Sequence, residues 1–454
     1  MGTSRRTAFM AGALATGVGL AACSGAGAGG GGGGGTAGGE KSINVIMVNN
    51  PQMEDLRALT ADSFTKDTGI KVNFTVMPEN DVRDKIGQEF AQQAGQYDVA
   101  TISNYEVSFF SKNTWLADLG EKAKADAAFD LEDVFPAMRD SVSSDGKLYA
   151  MPFYGESSFL MYRKDVMAAK NLTVPANPTW AQVADLAAKA DNAQPGMRGI
   201  CLRGQPGWGQ VFAPLTTVVN TFGGTWFDKD WNAKVNAPEF KEAVTFYTNL
   251  VKAHGEPGAA QAGFTECLNY MTQGKVAMWY DATSAANSLE ADKSPVKGKL
   301  GYAQAPVNKT KASGWLYTWA WGVQNASKKQ DLAWQFISWA SSKKYEELVA
   351  GKLGWAKVPS GKRASTYANP AFQKAAPFYQ AEEEALKNAD PKNPGLQERP
   401  YTGIQFAGIS EFSDLGTKVS QYVSAVIAGK MTVDEALTKG QADAEKVSAK
   451  RKQG

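Results

Sequence analysis

The sequence predicts an α/β fold, and three observations carry that expectation. Between residues 43 and 102, apolar runs suited to strands alternate with apolar residues at helical spacing. Helix-start signals, Ser or Thr followed three residues later by Gln or Glu, recur at Thr179, Ser327 and Thr432. Aromatic residues make up 11% and charged residues 21% of the 454, an ordinary globular balance with no solenoid-length repeat.

The chain starts with a segment that reads as an address. Arg5-Arg6 precede a short apolar run, Ala8 to Ala22, too short and too rich in Gly and Ala to span a bilayer well. Residues 1–22 therefore read as a twin-arginine-like signal peptide. The run ends at Leu20-Ala21-Ala22-Cys23, which resembles a bacterial lipobox, with Cys23 the lipidated residue. An ordinary signal peptide with a chance Cys is the alternative. Residues 23–40 are then a lipidated Cys and a tether of Gly and Ala, with a reach on the order of 20 Å. A phosphate loop would need a preceding strand and a following Lys-Ser/Thr pair, and neither is there.

The body opens with Ile43 to Val48, a run fit for a strand buried on both faces. Leu56, Leu59 and Phe64 mark a helix, ended near Gly69. Val72, Phe74 and Val76 alternate as a strand. Asn80 is placed to cap a helix carrying Val82, Ile86 and Phe90, stopped at Gly95, and Tyr97 to Ile102 is a third strand. Further on, Pro238 opens a helix with Phe240, Val244, Tyr247 and Val251. The boxes at Thr179, Ser327 and Thr432 each precede apolar residues at helical spacing. At about 415 residues, the body has room for two domains.

Composition excludes several chemistries. Net charge is +2, with mixed signs along the chain and no basic stripe for nucleic acid. The mildly basic end, Lys446 to Lys452, reads as a solvated helix terminus. His254, beside Gly255 near a helix end, is the single histidine, so neither a His-based triad nor a His metal cluster is expected. No P-loop, nucleophile elbow or dinucleotide fingerprint occurs in the body, and no cofactor or metal is expected. Paired carboxylates of a secreted glycosidase remain an alternative that spacing alone does not exclude. An adhesive or structural lipoprotein is another. Cys201 and Cys267 are either a disulfide or two buried thiols.

Ligands of open α/β sheets sit beyond the carboxyl ends of strands, so the segments after strands hold the candidates. Hydroxylated solutes ask for planar polar groups and aromatic faces together. Tyr154-Gly155-Glu156, Trp279-Tyr280-Asp281, and Arg203 with Gly207-Trp208 offer both. Trp315, Tyr317, Trp319 and Trp321 alternate and share one face if in a strand. Trp334, Trp339 and Trp355 read as core. Each candidate has a plainer reading: core packing for a Trp, a helix cap for Asn49 or Asn50, a surface pair for Arg203.

Phe64 to Val72, Gln273 to Trp279 and Met431 to Leu437 resemble, in the same order, segments of maltose-binding and related family 1 extracellular solute-binding proteins. Asn49 to Met53, Tyr154 to Phe159, Ile200 to Gly209, Phe222 to Asp228 and Tyr401 to Phe406 resemble the sorbitol/mannitol-binding members of that group. The resemblance implies a two-lobed, type II periplasmic-binding-protein-like fold with a hinge between the lobes. One lobe would hold 41–153 with 306–326, the other 157–303 with 327–454. The crossovers would lie near Phe153–Ser157 and Tyr302–Pro306. It implies a non-enzymatic receptor of an ABC importer, exported, held by its lipid alone on the outer face of the cytoplasmic membrane. Such a monomer would deliver a polyol to permease subunits; a mono- or disaccharide is the next reading. Asn50, Asn104, Glu106, Glu156, Arg203 and Asp281 would bond hydroxyls, while Tyr154, Trp208, Trp279, Trp315 and Trp319 would line apolar faces. On that reading Asp281→Ala should abolish most binding and spare the fold.

Overall fold

The computed structural model describes residues 41–453. The expected signal peptide, the lipidation at Cys23 and the tether to residue 40 lie outside the described residues.

Two sheets organise the body. Their strands are β1 (Ser42–Val48), β2 (Lys71–Met77), β3 (Val99–Ser103), β4 (Ala150–Glu156), β5 (Ser158–Arg163), β6 (Arg198–Cys201), β7 (Val276–Ala282), β8 (Leu300–Gln304) and β9 (Tyr317–Val323). The first sheet has the order β2-β1-β3-β9-β4, parallel through β3 and antiparallel where β9 inserts. The second has the order β8-β5-β7-β6. Strands β3, β7 and β9 are buried along their whole length, as apolar runs covered on both faces must be.

The chain passes between sheets twice within this frame. At the first passage only Ser157 separates β4 from β5. Thr283 fixes it: Thr283 N donates to Ser157 O at 2.9 Å, and Ser157 N donates to Thr283 Oγ1 at 3.2 Å. The second passage comes later than the sequence suggests. Residues 306–316, expected with the first sheet, stay with the second: Val307 N bonds Pro178 O, Lys309 N bonds Thr221 O, and the Trp315 ring packs on Tyr280.

The expected allocation of 327–454 to one lobe also needs correction. Helix Gln330–Ala340 lies on the first sheet, touching β1, β4 and β9 through the face of Ala333, Phe336, Ile337 and Ala340. Arg363 is fully buried there, donating to Phe129 O and Asp130 O. Only from helix Tyr379–Asn388, which packs on β5 and β8, does the chain rejoin the second sheet. Apolar periodicity marks a buried face; it does not name the surface that buries it.

Local signals fare unevenly. The capping boxes at Thr179 and Thr432 form as expected. Ser327 instead donates to Asp98 Oδ1 at 2.6 Å, and its helix begins at Gln330 without a side-chain cap. Helix Glu79–Gln92 starts before Asn80 and stops at Gln93, which takes a positive φ of 50°, short of Gly95.

Cys201 and Cys267 form a disulfide. It ties the end of β6 to helix Phe264–Thr272, and both residues are fully buried. The bridge closes a loop of 66 residues. Loop-closure entropy then predicts that the double substitution Cys201→Ala, Cys267→Ala costs about 4 kcal/mol. Urea unfolding with and without reductant measures it: reductant should lower the midpoint of the parent protein and leave the double variant unmoved.

Candidate functional site

The carboxyl ends of β1, β4, β6 and β7 and the start of β9 converge on one cavity. Its empty volume is about 350 Å³. Both sheets contribute walls: Asn50, Glu79, Arg83, Tyr317 and Trp319 from the first, Arg203, Phe264 and Ser284 from the second. Glu156 enters at the passage between them, with Gln405 and Phe406 from a late loop.

Two guanidiniums frame the cavity, and each has its counter-charge. Arg203 grips Asp281 bidentately, Nε to Oδ2 at 2.8 Å and Nη2 to Oδ1 at 2.5 Å, and Nη1 donates to Gly209 O at 3.1 Å. Trp279 Nε1 donates to the same Asp281 carboxylate at 3.1 Å. Across the cavity, Arg83 donates to Glu79 Oε1, to Glu106 Oε1 at 2.7 Å and to Tyr317 Oη at 2.6 Å. Its Cζ lies 4.2 Å from the Trp208 ring centre and 4.8 Å from that of Trp319. Neither cation is left free to bind an anionic solute. The spare N–H groups of these planar forks suit neutral hydroxyl oxygens.

Glu156 is different. Its Oε2 accepts from Ser284 Oγ at 2.6 Å, with no guanidinium bonded to it. Burial is the main cause of a carboxyl pushed up to about 8; the Ser284 bond and Arg203 oppose the shift, and Asp281 and Glu79 reinforce it. Near neutral pH it is largely a carboxylic acid, able to donate as well as accept.

Contacts across the cleft hold the two sides together. Asn80 Nδ2 donates to Pro206 O at 3.0 Å, and Gln210 Nε2 to Glu79 Oε2 at 3.1 Å. Gly207 takes φ +132° beneath Asn80, and a Cβ there would fall 2.3 Å from Asn80 Oδ1. Gln52 Nε2 reaches Ser284 O at 3.0 Å.

Residues 49–347 match the family model of the bacterial extracellular solute-binding proteins. The chain belongs to that family. A mannitol-binding protein of Pseudomonas aeruginosa is 39% identical over 408 residues, 89% of this chain and 92% of that one. Among solved structures, a solute-binding protein of Agrobacterium vitis with bound D-mannitol aligns with a TM-score of 0.88 and 42% identity, covering 90% of this chain and 99% of that one. Another, from Agrobacterium radiobacter in complex with ribitol, aligns at 0.79 and 25%, covering 90% and 98%. The two-lobed fold implied by the sequence is thus that of this chain. Solute-binding proteins of this family act outside the cell, and among the described residues no helix is long and apolar enough to cross a membrane.

Of the residues singled out from sequence, Asn50, Glu156, Arg203 and Trp319 line the cavity. Five stand behind it and hold those that do. Tyr154 Oη accepts from Asn50 Nδ2 at 2.9 Å, and Glu106 and Trp208 hold Arg83. Asp281 and Trp279, both fully buried, hold Arg203. Two lie elsewhere. Asn104 Oδ1 accepts from Thr318 N, and the residue lines a neighbouring hollow; Trp315 is buried beside Tyr280. The expected shared face of the alternating row divides: Trp319 lines the cavity, while Trp321 packs into the core against Phe153 and Phe336. A register shift between Trp319 and Ala320 accompanies the change, pairing Trp319 with Tyr154 and Trp321 with Met151.

Glu79, Arg83, Phe264, Ser284, Gln405 and Phe406 were missed. Glu79 and Arg83, four apart on a helix, look in sequence like a routine surface pair. Gln405 and Phe406 lie in the polyol-type segment quoted above, the one available signal. Among the described residues, the group placed to hold a metal is Cys201, Glu256 and Cys267, whose sulfurs are spent on the disulfide.

Asp281 therefore underpins the fold as well as the cavity. Asp281→Ala leaves Arg203 buried and uncompensated, a loss of roughly 3–5 kcal/mol. Denaturant unfolding should show that loss without any ligand present; an unchanged midpoint would refute the pairing argument. Glu156 gives a pH test. Its folded carboxyl titrates at about 8 against an ordinary 4.5, so the folded state holds the extra proton in that window. Stability should fall as pH rises through it, by at most about 1.4 kcal/mol per unit. Glu256, buried without a hydrogen-bond partner and pushed up to about 7, adds the same sign below pH 7. Glu156→Gln should flatten the remaining slope between pH 7 and 8.

Proposed function

We propose that this chain is the polyol-capturing subunit of an ABC importer, taking a linear sugar alcohol of the mannitol type into the cavity between its lobes. One observation carries the reading: the 42% identical protein that aligns over 90% of this chain was solved with D-mannitol bound. The local chemistry agrees. The cavity is small, its cations are paired, and Trp319, Tyr317 and Phe264 offer rings beside Glu156, Asn50 and the spare N–H groups of Arg83 and Arg203.

In this reading the site residues divide by role. Glu156, Asn50, Glu79, Arg83 and Arg203 bond hydroxyls, and Trp319 and Phe264 cover C–H faces. Asp281, Trp279, Glu106, Tyr154 and Trp208 keep those groups in place. The first lobe runs to Glu156 and takes back the chain from Tyr317 to about residue 375; the second holds the rest. A polyol bound on one side favours closure by gaining the other side's contacts, and the closed form presents itself to the permease. Binding without turnover, a monomeric state and a lipid anchor through Cys23 complete the proposal.

Titration calorimetry with mannitol, sorbitol, ribitol, glucose and maltose tests it. A hexitol should bind at micromolar Kd, about −8 kcal/mol, and ahead of both sugars. At a hundredfold excess over Kd it should stabilise the protein by about 2.7 kcal/mol. Trp319→Ala should weaken binding at least tenfold. A protein that binds maltose and ignores every polyol would defeat the reading.

A further inference from the structure

Next to the cavity lies a second, larger hollow of about 1440 Å³, open toward solvent. Three residues line both spaces: Tyr317, Gln405 and Phe406. These side chains are therefore the partition between them. Phe406 is the ring of that partition outside the charge network, since Tyr317 is bonded by Arg83.

The partition is firmly built. The Phe406 ring centre lies 4.8 Å from that of Trp208, 5.8 Å from Tyr317 and 6.0 Å from Phe412. The loop beneath it is clamped to the second lobe: Asn220 Nδ2 donates to Ile404 O at 3.0 Å, and Arg399 Nη2 to Gly403 O at 2.8 Å. Gly408 N closes the turn on Thr402 O at 2.9 Å. Gly403 has φ +114°, and a Cβ there would fall 2.2 Å from Phe406 O, so this tight path needs glycine.

Beyond the partition, the outer hollow carries short polar groups, Asn104, Ser108, Ser141, Ser144, Asp140 and Asp390, set among apolar side chains and two lysines. Hydroxyls, an amide and carboxylates are the groups that bond the hydroxyls of a sugar ring. The cleft thus has polar surface on both sides of an aromatic wall.

We propose that Phe406, supported by Gln405, is the length-limiting wall of the site. It confines the ligand to one short polyol chain, and its removal joins the two spaces into a site for an alditol that carries a glucosyl ring. This rests on the polyol reading above and adds what sets the upper size of the ligand. Removing the ring also takes away a packing partner of Trp208 and hence of Arg83, so affinity for the short ligand should fall as the longer one gains.

The test compares the parent chain with Phe406→Ala and Gln405→Ala by calorimetry, using sorbitol against maltitol and mannitol against glucosyl-mannitol. The parent should prefer the short member of each pair at least a hundredfold. Phe406→Ala should narrow that preference at least tenfold, and Gln405→Ala by less. Folding is checked by thermal melts; if Phe406→Ala unfolds, Phe406→Val takes its place. A folded Phe406 variant whose preference equals the parent's overturns the partition. Failure of the polyol reading shows separately, as a parent protein that binds none of the alditols; the same comparison then runs with glucose against maltose.

Discussion

The buried fork between Arg203 and Asp281 is the constraint around which the cavity is arranged. A guanidinium removed from water is tolerated only when its charge is met at close range. Asp281 meets it at the end of β7, and Trp279, two residues earlier on that strand, steadies the carboxylate. On the opposite wall Arg83 is met by Glu79 and Glu106. Each guanidinium of the cleft thus has its counter-charge before any solute arrives. What remains exposed to the cavity is hydrogen-bonding capacity without an unpaired cation, an environment that disfavours an anionic solute and suits a hydroxyl-rich guest.

Glu156 is the acid left outside both pairs, and its position explains its protonation. It closes β4, one residue before the chain turns into the second sheet, and Ser284 beyond β7 donates to it. A carboxyl at that junction touches both halves of the molecule. Because burial outweighs the nearby positive charge, it keeps a proton that an exposed glutamate would lose. The same junction carries the reciprocal Ser157–Thr283 bonds, so a bonding group of the cavity and the pivot of the fold occupy adjacent residues.

The aromatic residues divide by a similar logic. Trp321, Trp315 and Trp279 are fully buried and act as packing or support, whereas Trp319 keeps one face toward the cavity. On β9 the separation between cavity and core falls between Trp319 and Trp321, where the register shift against β4 sets Tyr154 beside one ring and Phe153 beside the other. One strand therefore serves both the solute and the hydrophobic interior.

Local chemistry was legible from sequence alone. The alternation of strands and helices, two of the three capping boxes, the placement of Asn50 and Glu156 after strands and that of Arg203 before an aromatic loop all follow from short-range rules; the resemblance to the family rests instead on matching segments. Other features depended on neighbours distant along the chain. Asp281 looked like a ligand group because a carboxylate after a strand invites that reading; only the fold brings Arg203, 78 positions earlier, against it. Arg83 carries no signal in sequence because its helix partner Glu79 is enough to pair it locally, while Glu106, Tyr317 and Trp208 arrive from three other segments. The resemblance placed the late chain in one lobe, and the apolar faces of its helices do not reveal what covers them. Sequence by itself determined which groups stand at strand ends; tertiary structure decided which of them face the cavity and which are consumed holding the others, since charge pairing and burial are settled between segments rather than within them.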